Sequence, residues 1–297
     1  MGEMDAARSI DGRAYAKLNL SLDVLGARQD GYHGMRMVMQ SVTLCDDVRV
    51  ALNDSGAVTA ETNFGFLPLD GRNIAVRAAQ AFFAAAGMEG CGAHIVLRKR
   101  IPVGAGLGGG STDAAAVLRC LNELCGAGFS RAKLEEIGGT LGSDVPFCVA
   151  GGTQLAEERG DVLSPLPALP ECRFVICKPR FSIRTPELFA RIDSRVSRIH
   201  PDTDGISRAL AEGDVAGVAR RMYNVFEDVL PRRCGEIGVI KRRLLDAGAL
   251  GAVMTGTGSA VFGVFPDDGA ARAAAAALGT QYRECFTAGP AGLLTRF

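Results

Sequence analysis

The chain has 297 residues, 47% of them hydrophobic and 22% charged, and its 33 basic side chains balance 33 acidic ones. That balance excludes a disordered chain and a global basic field for nucleic acid or an anionic membrane, and at roughly 150 residues per domain the length fits two domains or one large one. Nine cysteines with no CxxC pair, and only three histidines, exclude a disulfide framework and a structural zinc site and point to a reducing, cytoplasmic setting.

The opening residues are charged and lack the apolar run of a secretory leader, and no run approaches the 18 apolar residues of a membrane span. Residues 14–25 then alternate. Leu18, Leu20, Leu22 and Val24 fall on one face of a strand, and Lys17, Asn19, Ser21 and Asp23 on the other. Asp30-Gly31 supplies a turn, a second strand is predicted over 35–44, and Asp46-Asp47 marks a break before a third over Val48–Leu52. This opening reads as an antiparallel meander with one wet face. Met35, Met37 and Met39 share a face as ordinary packing.

Asn73 predicts the N-cap, and Gly87 the C-cap, of a helix between them. A strand over 93–101 puts Ile95, Leu97 and Ile101 on one side and Arg98 and Arg100 on the other. A glycine loop over 102–112 precedes helices over 113–124 and 130–141. Three prolines in Leu163–Pro170 mark the domain boundary, which divides the chain into 1–163 and 164–297. The second part reads as a strand over 172–178, helices in 185–195, 203–220 and near 235–247, and a strand–glycine turn–strand over 252–265. An Ala-rich helix over 268–278 and a strand near 282–287 follow, and the class is α+β.

The strongest local signal is Pro102-Val103-Gly104-Ala105-Gly106-Leu107-Gly108-Gly109-Gly110-Ser111-Thr112. Glycines let backbone N–H groups approach an anion, and the helix that follows offers its positive end, so the loop reads as a phosphate cradle. No Gly-Lys-Ser/Thr closes it, so it is not a Walker loop. Gly104-x-Gly106-x-x-Gly109 satisfies GxGxxG, but the dinucleotide fold needs an acid about 20 residues on, where Gly128-Phe129-Ser130-Arg131 stands instead. A simple tight turn stays open as the plain alternative.

Three separated segments together resemble the GHMP small-molecule kinases: Ala16-Lys17-Leu18-Asn19, the run 102–115, and Met254-Thr255-Gly256-Thr257-Gly258 with the strand after it. Arg28-Gln29-Asp30-Gly31-Tyr32-His33 and Gly142-Ser143-Asp144-Val145-Pro146-Phe147 narrow the resemblance to the branch that acts on a cytidine diphosphate-linked methylerythritol. Departures are Tyr15 for a common proline, Thr112 for a serine, Ser143 for an alanine, and Thr-Gly-Thr-Gly for Ser-Gly-Ser-Gly.

The resemblance implies a ribosomal protein S5 domain 2-like first domain, a ferredoxin-like second domain and a cleft between them. It implies ATP-dependent phosphorylation of the acceptor's 2-hydroxyl, in the non-mevalonate isoprenoid route. Asp144 would be the base and Lys17 its neighbouring cation, with Asn19 on another substrate hydroxyl. The phosphates would lie on 104–112, with hydroxyl donors Ser111 and Thr112. Tyr32 would stack on cytosine, His33 would pair with its edge, and Phe189 would form a second wall. Mg²⁺ is implied by the reaction without legible protein ligands, though Asp113 is one candidate. The small molecule is the expected partner, and the expected state is a monomer or weak homodimer. Other GHMP kinases, of homoserine or mevalonate type, and a non-catalytic nucleotide-binding protein are the alternatives. The plain readings are a solvated strand lysine for Lys17, a helix N-cap for Asp144 and a core aromatic for Phe189.

Overall fold

The computed structural model describes residues 9–195 and 199–294. Two long strands, β1 (Ser9–Ala27) and β2 (His33–Asn53), pair antiparallel along most of their length. β3 (Val58–Thr62), α1 (Ile74–Ala85) and β4 (Gly92–Arg98) follow. β3 and β4 are parallel, and β4 pairs with the Asp47–Asn53 half of β2. Three helices come next: α2 (Gly109–Leu124), α3 (Arg131–Gly139) and α4 (Val145–Ala150). β5 (Thr153–Glu158) then joins the Met35–Gln40 half of β2, and β6 (Val162–Pro165) pairs with β5. β2 is thus the spine of the first sheet.

The chain changes sheets between Pro165 and Arg173, so the expected boundary at 163/164 falls inside β6. The second sheet begins with β7 (Arg173–Lys178), which leads to α5 (Thr185–Asp193), α6 (Thr203–Ala211) and α7 (Val215–Arg221). A two-residue strand, β8 (Tyr223–Asn224), returns to the first sheet beside β1. Then come α8 (Glu236–Asp246), β9 (Gly251–Met254), β10 (Val261–Phe265), α9 (Asp268–Gly279) and β11 (Glu284–Ala288). The antiparallel order β11-β7-β10-β9 is 4-1-3-2 in sequence terms, the split-βαβ, ferredoxin-like arrangement. Mixed helices and sheets make the fold α+β.

Local chemistry explains the element ends. Asn73 caps α1 by accepting from the Ala75 N–H at 3.0 Å, and Gly87 closes it with its N–H on the Ala84 carbonyl. Where one helix is expected over 203–220 there are two. Gly213 adopts φ +71°, and Asp214 caps the new helix through the Gly217 N–H at 2.7 Å.

Two other expectations fail for one reason: buried polar groups with partners mimic surface signals. Asp46-Asp47 is no turn, because β2 runs through it. Asp46 is fully buried and accepts from the Ile101 N–H at 2.8 Å and from Lys99. The polar face of β1 is not wet either, since Lys17, Asn19, Ser21 and Asp23 are all buried. Register shifts at Tyr15/Lys17 and Asn19/Ser21 also turn the strand over. Ala14, Leu22 and Val24 therefore join the core that includes α1–α4 and the three expected methionines, whereas Ala16, Leu18 and Leu20 pack with Phe174, Ile176 and Phe262 of the second sheet. No helix among the described residues is long and apolar enough to cross a membrane.

Candidate active site

A cavity of about 850 Å³ opens where the two halves meet, at the upper end of the size range of small-molecule clefts. One wall is the glycine loop. The loop can turn this tightly because Gly104, Gly106 and Gly108 all take φ between +64° and +78°. A Cβ on Gly106 would stand 2.1 Å from the Thr255 carbonyl oxygen, so the 102–112 loop and the Met254–Gly258 turn are packed backbone on backbone. α2 starts within the glycine run, four residues earlier than expected, and no side chain caps it. The N-terminal N–H groups of a 16-residue helix, and its dipole, are thus presented beside the cavity. Pro102, Val103, Ala105, Leu107, Gly109, Gly110 and Ser111 complete this wall.

Thr112 does not take part in it. It is buried, is absent from the lining, and donates its hydroxyl to the Gly109 carbonyl at 3.0 Å, the back-bond usual for a helical threonine. The expected second hydroxyl donor is therefore engaged inside its own helix.

Lys17 and Asp144 both line the cavity, and their nitrogen and oxygen are 3.6 Å apart. Lys17 is 5% exposed at its side chain and Asp144 33%, so the ammonium is held by the protein while the carboxylate keeps an open approach. Asp144 stands at the N-cap of α4 but caps nothing with its side chain, with Pro146 in the first turn. Its carboxylate is thereby left for the cavity. The plain reading of Lys17 as a solvated lysine is excluded by its burial.

Asn19 is placed elsewhere than expected. It is fully buried and outside the lining, and its Oδ1 accepts from Lys17 Nζ at 2.8 Å, the Gly256 N–H at 3.0 Å and the Thr255 hydroxyl at 3.3 Å. It positions Lys17 against the second glycine turn, and its acceptor atom has no room for a substrate hydroxyl.

Aromatic groups gather along another stretch of the wall. Tyr32 is 57% exposed on the β1–β2 turn, and an Arg159 guanidinium stands 5.2 Å from its ring centre. His33 lies 4.5 Å from Phe189 of α5 and shares a 2.8 Å hydrogen bond with Asp193. Phe189 packs edge-on against Phe226 at 5.0 Å and also lines the cavity, so it serves the core and the wall together.

Sequence reasoning missed a buried cluster beneath the glycine loop. Lys99 bonds to both Asp46 and Asp113 and donates to the Gly109 carbonyl at 3.2 Å. One ammonium between two carboxylates leaves one negative charge in excess. Burial pushes the Asp113 carboxyl above its ordinary range, and its Oδ1 has no hydrogen-bond partner. A signal existed: on the strand over 93–101, Lys99 falls on the same side as Leu97 and Ile101, where a cation needs a buried partner. Asn224 ties β8 to the second glycine turn by donating to the Met254 and Gly256 carbonyls, each at 2.8 Å.

Comparison with known proteins agrees with this geometry. The family description GHMP kinases N terminal domain matches residues 73–152, and GHMP kinases C terminal matches 206–284. The chain is 40% identical over 278 residues to the 4-diphosphocytidyl-2-C-methyl-D-erythritol kinase of Acetivibrio thermocellus, covering 94% of this chain and 98% of that one. A crystal structure of 4-(cytidine 5'-diphospho)-2C-methyl-D-erythritol kinase superposes with a TM-score of 0.79 at 34% identity, covering 95% of this chain and 100% of the other. A homoserine kinase from Cytophaga hutchinsonii, at 20% identity, shares the fold with a TM-score of 0.75 over 96% of this chain and 95% of its own. With a glycine loop on a helix end, a lysine–carboxylate pair beside it and both halves matched in order, the chain belongs to the GHMP kinase family.

Proposed function

We propose that the protein is an ATP-dependent kinase that phosphorylates the 2-hydroxyl of 4-diphosphocytidyl-2-C-methyl-D-erythritol, giving the 2-phosphate and ADP in the non-mevalonate isoprenoid route. The carrying observation is that the Lys17–Asp144 pair lines the same cavity as the glycine loop and the Tyr32, His33 and Phe189 rings. A homoserine or mevalonate acceptor has no base to stack, so the aromatic wall favours a nucleoside-bearing acceptor.

Phosphoryl transfer is chiefly positioning and charge stabilisation, with the acceptor's proton taken as the new bond forms. In this reading the Asp144 carboxylate takes the 2-hydroxyl proton, while Lys17 stabilises the developing alkoxide. Lys17 is itself oriented by Asn19. The open N–H groups of residues 109–111 and the Ser111 hydroxyl hold ATP phosphates. Ser111 and the unpartnered Asp113 Oδ1 fit a nucleotide-borne Mg²⁺, which usually keeps waters and takes only one or two protein oxygens. That ion neutralises phosphate charge when bound. Tyr32 and Phe189 flank the cytosine and His33 reads its edge. Two domains that meet within 166–172, cytoplasmic residence and a monomeric or weakly dimeric state complete the reading. The nine free cysteines suit a reducing compartment.

Purified protein with ATP, Mg²⁺ and the cytidylated acceptor should produce a new phosphomonoester by ³¹P NMR together with ADP, and homoserine or mevalonate should not. Turnover of either alternative alcohol without turnover of the cytidylated one would overturn the assignment.

A further inference from the structure

If the acceptor carries a cytidine diphosphate, the cavity must hold a second anion besides the nucleotide triphosphate, namely the diphosphate bridge. Among the described residues four cationic side chains line the cavity: Lys17, Arg72, Lys99 and Arg159. Lys17 and Lys99 are buried and each faces carboxylates. Arg72 pairs with Asp70 at 2.9 Å and precedes Ile74, whose side chain lies within contact of Gly110 and Gly142 at the glycine-loop end. Arg159 differs from all three. It stands at the aromatic end, 41% exposed at its side chain, with its guanidinium over Tyr32.

Its position is built rather than accidental. Arg159 sits on the β5–β6 turn, where Glu158 adopts φ +60°, a left-handed conformation unfavourable for a residue with a Cβ that persists where surrounding contacts impose it. Glu158 pairs with Arg28 of the β1–β2 turn, and within that turn Arg28 donates its N–H to the Tyr32 carbonyl at 2.7 Å. Asp161 accepts from Arg159 Nη2 at 2.8 Å and Nε at 3.2 Å. Two hairpin turns are thus clasped together, Arg28 to Glu158 and Tyr32 to Arg159. Asp161 engages two of the three guanidinium nitrogens and leaves Nη1 available.

We propose that Arg159 is a specificity-determining residue for the nucleotide half of the acceptor: it braces Tyr32 by a cation–π contact and donates from Nη1 to the anionic diphosphate bridge. A guanidinium suits both tasks, since it stacks on aromatic faces and makes strong charge-assisted bonds to phosphate oxygens. The inference rests on the acceptor assignment above and adds a residue to it.

The test compares CDP, which carries the diphosphate, with cytidine, which does not, by calorimetric titration of the wild type and of Arg159→Gln. Loss of the charge-assisted contact should weaken CDP binding and raise the acceptor KM by about tenfold, whereas cytidine, which senses only the lost brace on Tyr32, should weaken by only about two- to threefold. The kcat and the KM for ATP should stay within about twofold, because Arg159 is remote in role from the transferred phosphoryl group. Arg159→Lys, which keeps the charge without the planar fork, should recover part of the loss and serves if the Gln variant folds poorly. Equal weakening of CDP and cytidine, or no weakening of CDP, would overturn the proposal while wild-type turnover keeps the acceptor assignment standing. A wild type that turns over no cytidylated acceptor and binds no CDP would sink both together.

Discussion

Replacing Gly106 by alanine attacks the contact on which both glycine segments depend. Two penalties combine. The residue sits at φ +78°, where an L-residue with a Cβ loses about 1–2 kcal/mol. The new methyl would also stand 2.1 Å from the Thr255 oxygen and 3.0 Å from its carbonyl carbon, both backbone atoms that no rotamer change can move aside. Overpacking of that kind typically costs a further ~1–3 kcal/mol, for a sum of about 2–5 kcal/mol. At about 2–4 °C per kcal/mol for a chain of this size, the midpoint of thermal unfolding should fall by roughly 4–20 °C. Gly213→Ala is the control, because it has φ +71° and nothing within 4 Å of its would-be Cβ. It should show the conformational penalty alone, about 1–2 kcal/mol. Differential scanning calorimetry of the two variants therefore isolates the steric share. The KM for ATP should rise in Gly106→Ala and not in Gly213→Ala. Equal destabilisation of the two, with an unchanged KM for ATP, would refute the backbone-on-backbone account of the loop.

Asp144→Asn should lower kcat by about 10²–10⁴-fold with little change in the KM for ATP, and an unchanged kcat in a steady-state assay would remove the carboxylate from the base role. Asn19→Ala leaves two or three buried donors without their acceptor, so it should lose about 1–3 kcal/mol of stability for each as well as kcat. A rise in acceptor KM with full thermal stability would instead return Asn19 to direct substrate contact. The raised Asp113 carboxyl makes the native state bind a proton more readily than the unfolded chain does, so its contribution to stability declines as pH rises through the window from about 4 to about 7. Asp113→Asn should flatten that decline in unfolding midpoints recorded from pH 5 to pH 8, and an identical slope in both proteins would show that the group titrates elsewhere.

Most elements of the fold, and the segments that build the cavity, were legible because their chemistry is local. Asn73 and Gly87 bracket α1 by short-range rules, and the glycine run before α2 announces an anion site whatever surrounds it. What stayed hidden depends on partners far away in sequence. Asp46 looks like half of a turn until Lys99 and the Ile101 N–H, 53 and 55 positions on, are seen to bury it. Lys17 to Asp23 look wet until the register shifts of β1 and the second half of the chain are in place. Asn19 and Thr112 read as ligand contacts because their residue types can donate or accept. In the fold the Gly256 N–H and the Gly109 carbonyl, respectively, already occupy those atoms.

The register shifts in β1 have a consequence for how accurately the reaction is aligned. Lys17 rides on a strand clamped between two cores and is held through Asn19 against the second glycine turn, whereas Asp144 rides on a helix anchored in one of those cores. Phe189, opposite His33, belongs instead to the second half. A relative shift of the two halves would widen or narrow the slot between the β1–β2 turn and α5, and through the Asn19–Gly256 bond it would also pull on Lys17. The carboxylate is thus fixed by one half of the molecule, while the lysine and the slot that admits the acceptor answer to both.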